Sequence, residues 1–306
     1  MLLSPRAPPP GRIPPYSFDD RPSQSVFFHN VKHIALKGVT IRDSPCWTVT
    51  FSECEDIKVH GLTVRTDLNI PNDDGLHFCS CKGVIVSDCN IESGDDCIAL
   101  TAITNWQKPC EDVVITNCVL KTCSKAIAVG YIYSHIRNVL IDNVIVKESN
   151  RGLCFMSNPE CGLIENVRVK NMIIDTRIAA GNWWGNGEPI YILGIQHDFH
   201  IPAEQKPLRD TKVNFRNIHF RGITCTSENA IAIAGTGSNM EEITFRDIDV
   251  ALKPSENIEL KGRTMDTAPA RAVYEIPENC AVYCSKAPDV VFEDMHLGEL
   301  IMVSEL

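Results

Sequence analysis

The chain of 306 residues lacks several features that define common protein classes. It has no apolar run of the ~18 residues that a membrane span needs. Its N-terminal Met1-Leu2-Leu3-Ser4-Pro5 reaches proline before an apolar signal-peptide core can form. Basic residues are few, because 29 Lys and Arg stand against 39 Asp and Glu and give a net charge of −10. Since a nucleic-acid partner requires a basic face, we expect no partnership with nucleic acid or membrane.

The fourteen cysteines lack the paired spacing of a zinc site and the density of a small disulfide scaffold. Many lie inside apolar, strand-like runs, where cysteine behaves as a small buried hydrophobe; examples are Cys89, Cys97, Cys118 and Cys225. We therefore expect reduced, structural thiols. Reduced thiols favour a cytoplasmic location, although a truncated N-terminus would leave a secreted location open.

A helical spacing of apolar residues is also missing, as is the leucine framework of leucine-rich repeats. Instead, runs of alternating apolar residues recur every 23 to 29 residues, and they open at Val31, Cys54, Cys81, Cys110, Ile136 and Ile164. Strand-type alternation on such a period is typical of a parallel β-helix, in which each turn of chain forms one rung. We predict an all-β solenoid domain over residues 21–306, after a proline-rich arm over 1–20. The prediction includes a tryptophan-rich loop near 179–188 and a less regular part from about 251.

A second alignment within the rungs brings charged residues into one position. Five-residue segments share apolar third and fifth positions, which should point into the core. Their first positions are Trp47, Asp74, Asp96, Lys125, Arg151, Glu188 and Asn229. In-register stacking would place these seven residues, hereafter the charged column, at a spacing of about 4.8 Å. The fourth positions are mostly small, which predicts a shallow groove beside the charged column.

Two acidic blocks lead into consecutive rungs: Asn72-Asp73-Asp74-Gly75 and Gly94-Asp95-Asp96-Cys97. Asp74 and Asp96 are separated by about one turn of the solenoid, so the blocks should stack. Glycoside hydrolysis with inversion needs one protonated carboxyl and one carboxylate with a water between them. Crowding of like charges raises the pKa of one carboxyl and makes it the acid. A calcium site or a set of turn-capping side chains are the alternatives for the same residues.

The predicted loop near 179–188 carries adjacent tryptophans, Trp183 and Trp184, among glycines and asparagines. Aromatic faces flanked by amides are suited to stacking against sugar rings, although a buried loop anchor is the alternative. His197 follows and is expected to line the same groove. A metal pair or a surface turn are the other interpretations of His197.

The chain resembles the polygalacturonase family of glycoside hydrolases, family 28, over roughly residues 21–250. The resemblance is carried by the Arg21-Pro22 dipeptide before the first rung, by the two aspartate blocks and by the rung pattern. The resemblance implies a right-handed parallel β-helix that hydrolyses a pectin-type glycan with inversion, without cofactor or metal. It implies that Asp95 donates a proton to the leaving oxygen while Asp74 and Asp96 activate water. The residues expected to bind substrate are Asn72, Lys125, Arg151, Trp183, Trp184, Glu188, Tyr191 and His197.

The sequence departs from the family pattern at two places. Ser124-Lys125-Ala126 stands where the family has Gly-His-Gly, and Cys154-Phe155-Met156 stands where it has Arg-Ile-Lys. Lys125 and Arg151 either replace the missing cations, since both can pair with a uronate carboxylate, or pair with Asp96 or Glu188. A lyase or epimerase on the same fold, or a binding protein without turnover, are the alternative functions.

The expected partner is an oligo- or polysaccharide substrate. Members of the family carry more chain before the Arg-Pro than precedes Arg21-Pro22 here. The first rung is therefore expected to expose its edge, unless a second copy of the chain covers it in a homo-oligomer.

Overall fold

The computed structural model describes residues 22–179, 184–195, 206–209, 211–255, 263–266 and 273–305. Within these ranges the regular elements are all β-strands. Their bounds are β1 Val26–His29, β2 Lys32–Lys37, β3 Thr40–Arg42, β4 Val49–Ser52, β5 Glu55–His60, β6 Thr63–Arg65, β7 Leu76–Cys79, β8 Lys82–Ser87, β9 Asn90–Ser93, β10 Ile98–Thr101, β11 Cys110–Thr122, β12 Lys125–Val129, β13 His135–Ser149, β14 Arg151–Met156, β15 Leu163–Thr176, β16 Glu188–Leu193, β17 Phe215–Ser227, β18 Ile231–Ala234, β19 Met240–Leu252, β20 Thr264–Asp266, β21 Val273–Glu275, β22 Cys280–Ser285, β23 Val290–His296 and β24 Ile301–Glu305.

Two long sheets form the body of the protein. The first sheet has ten strands in the order β1-β4-β7-β10-β12-β14-β16-β18-β22-β24. The second has the order β2-β5-β8-β11-β13-β15-β17-β19-β23, with the short strands β3, β6 and β9 attached to it. Neighbouring strands in both sheets are parallel and come from successive turns of chain. This is the parallel β-helix that the repeats predict.

The core lies between the sheets and is built from the inward positions of each rung. In β10 and β12 the third and fifth positions of the rung are fully buried, as predicted: Ile98, Leu100, Ile127 and Val129. Aromatic rings stack from rung to rung, with centroids 5.2 Å apart for Phe28 and Phe51 and 4.9 Å apart for Phe51 and Phe78. Because each inward side chain packs against the same position of the next turn, burial fixes the register of the solenoid.

Left-handed backbone conformations mark the corners of the rungs on the second sheet. One such corner recurs at His33, Asp56, Gly83, Asp112, Asn138, Asn166, Asn217 and Glu242. Asn and Asp reach this conformation more readily than most residues because their short polar side chains bond locally. Here the side chains also bond to each other between rungs, as Asn138 Nδ2 donates to Asp112 Oδ1 at 2.9 Å and Asn217 Nδ2 to Asn166 Oδ1 at 2.7 Å. These corners turn the chain at the same place in eight successive rungs, from β2 to β19.

The C-terminal part extends the β-helix and also covers part of its first sheet. Strands β22 and β24 extend the first sheet, and β23 extends the second. The antiparallel pair β20–β21 belongs to neither sheet, yet Met265 and Ile276 pack onto the outer face of the first sheet. They join an apolar group, hereafter the outer cluster, that consists of Cys154, Met156, Tyr191, Leu193, Ala230, Ala232, Ala234, Met265, Ile276, Cys280 and Tyr283.

The outer cluster corrects the prediction of a shallow groove along the whole charged column. Small residues at the fourth rung position, such as Cys154 and Ala232, do leave space on the first sheet. From β14 onward that space is filled by tyrosines, methionines and the side chains of β20–β21. Small outward residues therefore receive a covering segment in this part of the solenoid.

All fourteen cysteines are buried and none forms a disulfide. The described residues contain no helix that is long and apolar enough to cross a membrane.

Candidate active site

The charged column exists as one row at the start of the strands of the first sheet. Ile98 pairs with Leu76 on one side and with Ile127 on the other, so Asp96 lies between Asp74 and Lys125. Lys125 then pairs with Arg151, and Arg151 with Glu188. The parallel register of β7, β10, β12, β14 and β16 thus brings residues together that are up to 114 positions apart in the sequence.

Two glycines allow the acidic turns to approach each other closely. A Cβ at Gly94 would lie 2.1 Å from the carbonyl oxygen of Ile70, and one at Gly75 would lie 2.6 Å from that of Cys97. No side chain fits at either position without moving backbone. The glycines that flank the aspartates are therefore required by packing, which explains why the acidic blocks read Asp-Asp-Gly and Gly-Asp-Asp.

Of Asp74, Asp95 and Asp96, Asp95 alone lacks a basic side chain within hydrogen-bond distance among the described residues. Its Oδ2 accepts the backbone N–H of Asn72 at 3.0 Å, whereas Oδ1 is buried and makes no hydrogen bond of standard geometry within the described residues. Only 3% of Asp95 is exposed. Burial, with the nearby Asp96 charge, raises the pKa of Asp95 to about 6. This carboxyl can hold a proton in mildly acidic solution.

Asp96 has a cationic partner. Lys125 Nζ donates to Asp96 Oδ1 at 2.7 Å, and the Ser124 hydroxyl donates to the same oxygen at 3.2 Å. Burial alone would lower the pKa of Lys125, but the charges of Asp96 and Asp95 outweigh it and the pKa is raised. Lys125 therefore stays charged and holds an ion pair with Asp96. The Trp184 ring lies beside this pair, with its centroid 5.2 Å from Lys125 Nζ.

Asp74 has an imidazole partner that the sequence reasoning missed. His77 Nδ1 lies 2.8 Å from Asp74 Oδ2, and Nε2 lies 3.0 Å from Thr101 Oγ1. The Trp47 ring covers the imidazole with a centroid separation of 4.1 Å. Burial, followed by the charges of Asp95 and Asp96, raises the pKa of Asp74 well above its usual range. The signal in the sequence was a histidine at the fourth rung position, where β10 and β12 carry alanine.

Arg151, Glu188 and Tyr191 are buried and contact one another within the chain. Arg151 donates from Nε and Nη2 to both Glu188 oxygens, each at 3.0 Å, and its guanidinium lies 3.6 Å from the Tyr191 ring centroid. All three residues are 0% exposed. The structure thus shows the internal pairing of Arg151 with Glu188 that the sequence left open as an alternative, and substrate contact by these three residues stays a prediction.

The remaining candidates divide into those that the structure describes and those that it does not. Asn72 adopts a left-handed conformation, with φ at 54°, and its backbone N–H positions Asp95. Trp184 is 46% exposed beside Lys125, which leaves a ring face available to a ligand. Trp183 and His197 lie outside the described residues. Within the described part of the chain, no three His, Cys, Asp or Glu side chains converge as a metal ion would require.

The family model for glycosyl hydrolases family 28 matches residues 18–266, which is most of the chain. The chain belongs to this family. Among curated relatives of the family, a probable polygalacturonase of Arabidopsis thaliana is 23% identical over 238 residues, which cover 76% of this chain and 49% of the relative. A polygalacturonase of Nicotiana tabacum is 23% identical over 243 residues, which cover 76% and 56%.

Two solved structures of polygalacturonases share the fold. A polygalacturonase from Erwinia carotovora superposes with a TM-score of 0.61 at 18% identity, and the match covers 75% of this chain and 58% of that one. A hyperthermoactive exopolygalacturonase from Thermotoga maritima gives 0.54 at 18% identity, with 75% and 50% covered. The chain spans about half the length of the curated relatives it matches.

Proposed function

We propose that this protein hydrolyses glycosidic bonds in a pectin-type, uronic-acid-containing or related glycan, with inversion at the anomeric carbon. Family membership supports the reaction class, and the names of the relatives support the substrate class. One structural observation carries the assignment of roles. Of the three clustered aspartates, Asp74 and Asp96 each have a side-chain partner of basic type, whereas Asp95 has a buried oxygen without a standard hydrogen bond.

Asp95 serves as the general acid in this proposal. A pKa of about 6 keeps a substantial share of its carboxyl protonated in mildly acidic solution. The proton passes to the glycosidic oxygen as the bond from that oxygen to the anomeric carbon breaks. Because Asp95 Oδ2 is held by the Asn72 N–H, Oδ1 is the oxygen left to carry the proton.

Asp74 and Asp96 serve as acceptors for the attacking water. The water oxygen bonds to the anomeric carbon from the face opposite the leaving group, and its proton goes to a carboxylate. Lys125 holds the Asp96 carboxylate in place through their 2.7 Å contact. No cofactor is needed for this acid–base chemistry.

Substrate recognition must differ from that of relatives that carry Arg-Ile-Lys. Cys154 and Met156, which stand at the ends of the matching segment, are buried in the outer cluster. The cations of the charged column, Lys125 and Arg151, are already paired with carboxylates. We propose that Trp184 supplies stacking contact instead of charge. A substrate panel should therefore contain polygalacturonate, its methyl-esterified form and neutral pectic oligosaccharides.

The test compares wild-type protein with Asp95→Asn and with Asp112→Asn as a matched control. Asp112 occupies an exposed left-handed corner where the next rungs carry asparagine, so the same chemical change is tolerated there. Reducing ends and ultraviolet absorbance are followed together on the panel. We expect reducing ends without absorbance, no change in Asp112→Asn, and a loss of about 10²- to 10⁴-fold in Asp95→Asn.

Other outcomes would replace the proposal. A fully active Asp95→Asn variant would show that Asp95 is not the acid. Ultraviolet-absorbing product would identify a lyase, and binding of a panel member without turnover would identify a carbohydrate-binding protein. The anomer that forms first, observed by NMR, tests inversion, because the initial product should have the configuration opposite to that of the cleaved bond.

A further inference from the structure

We infer that His77 is a positioning residue that holds Asp74 in its ionised form, so that Asp74 can accept a proton from the attacking water. The inference rests on the proposed function and adds a residue to its machinery. No motif of the chain singled out His77 beforehand; its geometry alone does so.

The imidazole is fixed from three sides. Nδ1 faces Asp74 Oδ2 at 2.8 Å, Nε2 faces Thr101 Oγ1 at 3.0 Å, and the Trp47 ring covers one face. The Thr101 hydroxyl donates to Cys79 Sγ at 3.4 Å, so its oxygen can accept a hydrogen bond from Nε2. His77 is 4% exposed, and water therefore has little access to compete for these bonds. The ring cannot rotate without losing both partners.

Asp74 needs such a partner because its surroundings oppose ionisation. Burial and the neighbouring Asp95 and Asp96 charges all favour the protonated form of Asp74. A protonated Asp74 could not act as a base. A hydrogen bond donated to a carboxylate favours the charged form, and a proton on Nδ1 would be donated to Oδ2 across the 2.8 Å contact. His77 thus offsets the burial and the nearby charges that favour protonated Asp74, so that Asp74 can act as a base.

The charges around this pair come from three rungs. The turn before β7 contributes Asp73, the next rung contributes Asp95 and Asp96, and the rung after that contributes Lys125, which is bound to Asp96. The preceding rung presents uncharged Trp47 and Thr48. His77 is hence the basic group in direct contact with Asp74 among the described residues, while Lys125 serves Asp96.

The location of His77 within the rung supports a functional role. It occupies the fourth position, which pairs with Thr50 on one side and Ala99 on the other. An imidazole among small outward residues adds no packing to the inner core, since the core on this rung is made by Leu76 and Phe78. Its polar contacts are directed at a carboxylate in the acidic cluster and at the Thr101 hydroxyl.

The test uses two substitutions and one control. His77→Leu removes both ring nitrogens, whereas His77→Asn retains a donor near the place of Nδ1. His219→Leu is the control, because His219 is also held between a threonine hydroxyl and an oxygen acceptor, but on the second sheet. Thermal unfolding of each variant separates loss of fold from loss of function.

The pH dependence of kcat/KM distinguishes positioning from a structural role. Ionised Asp74 is required, so its loss on acidification sets the acidic limb. We expect His77→Leu to move this limb upward by at least about one pH unit, which lowers kcat/KM about tenfold below the limb. His77→Asn should fall between His77→Leu and wild type, and His219→Leu should match wild type. A His77→Leu limb that coincides with wild type would overturn the inference.

A second readout does not depend on turnover. Carbon-13 NMR of the Asp74 carboxyl reports its titration directly, and nitrogen-15 NMR reports whether Nδ1 of His77 carries a proton. We expect a proton on Nδ1 in wild type and an upward shift of the Asp74 titration of at least about one pH unit in His77→Leu. An unprotonated Nδ1, or an unchanged Asp74 titration, would refute the role of His77 even if no substrate is found. Intact NMR results without turnover would instead refute the proposed hydrolase activity.

Discussion

The two sheets each carry a column of charges, and the columns differ in sign pattern and in burial. On the second sheet the paired positions run Lys32, Glu55, Lys82, Glu111, Arg137, Glu165, Arg216 and Glu241. Signs alternate at every step, and the end pair Lys32–Glu55 is 60% and 49% exposed. On the first sheet the charged column is buried, and Asp74 and Asp96 are neighbours of the same sign.

The difference indicates that the charges on the second sheet have a structural role, whereas the aspartates on the first sheet have a chemical one. Alternating charges favour the correct register, and the exposed pairs among them, such as Lys32–Glu55, contribute about 0–1 kcal/mol each. Adjacent buried carboxylates oppose folding, since burial and mutual repulsion both disfavour their charged forms. A chain has no structural reason to place three aspartates together in this way. Their cluster is thus the feature of the molecule that calls for a chemical explanation.

The largest expected change in the free energy of unfolding comes from breaking the buried Arg151–Glu188 pair. Glu188→Leu leaves the Arg151 charge buried without its partner, which should lower the free energy of unfolding by about 3–5 kcal/mol. Urea denaturation measures this loss. Glu55→Leu, in the column of alternating charges on the second sheet, is the matched control, with an expected loss below about 1 kcal/mol. The double variant Arg151→Met with Glu188→Leu should recover part of the stability. Equal losses in Glu188→Leu and Glu55→Leu would erase the contrast between the columns.

The next effect is a dependence of stability on pH. The pKa of Asp95 is about 6 in the folded state and about 3.9 in an unfolded chain. The folded state therefore keeps a proton that the unfolded state releases, and stability falls as pH rises from about 4 through about 6. The expected loss is on the order of 3 kcal/mol. Denaturation of Asp95→Asn across this range should show a flatter profile, and an equal slope in both proteins would show that Asp95 is not the source of the pH dependence.

A smaller effect is expected from Lys125. Its charge lowers the pKa of Asp95, so Lys125→Met should raise that pKa further. Because the general acid must be protonated, the basic limb of the pH profile of kcat/KM should move upward, by about one pH unit. Lys125→Arg keeps the charge and should leave the limb near its wild-type position. A downward shift in Lys125→Met would show that Lys125 does not act on Asp95 through its charge.

The smallest expected change in stability comes from the column of alternating charges on the second sheet. Lys82→Ala removes one contact to Glu111 and should lower the free energy of unfolding by less than about 1 kcal/mol. Lys82→Glu places three acidic residues in a row at Glu55, position 82 and Glu111, and should cost more at low salt than at high salt. A loss that does not respond to salt would indicate that packing of the side chain, and not its charge, matters at this position.

The rungs and the charged column could be predicted from the sequence because repetition shows both the period and the register. Once Leu76 and Ile98 are aligned as inward residues, the parallel pairing places Asp74 beside Asp96 without further information. The family resemblance, carried by the same aspartate blocks, is confirmed by the match over residues 18–266.

Contacts between non-repeating parts could not be predicted. The covering of β14 and β18 by Met265 and Ile276 depends on a strand pair that has no counterpart in other rungs. Whether Arg151 contacts a substrate or pairs with Glu188 depends on how deeply its side chain is buried, which a local sequence pattern does not show. His77 was visible in the sequence, but only its distance from Asp74 gives it a role.

The measurement that bears most directly on the proposed mechanism is a carbon-13 NMR titration of the Asp95 carboxyl in the wild-type protein. Burial and the adjacent Asp96 charge predict a midpoint near pH 6, with the Asp112 carboxyl observed in the same spectra as an exposed reference. A midpoint near 6 would establish that the acidic cluster holds a proton where the proposed general acid stands. A midpoint below about 4, the range of an ordinary aspartate, would contradict the assignment of Asp95 as the acid.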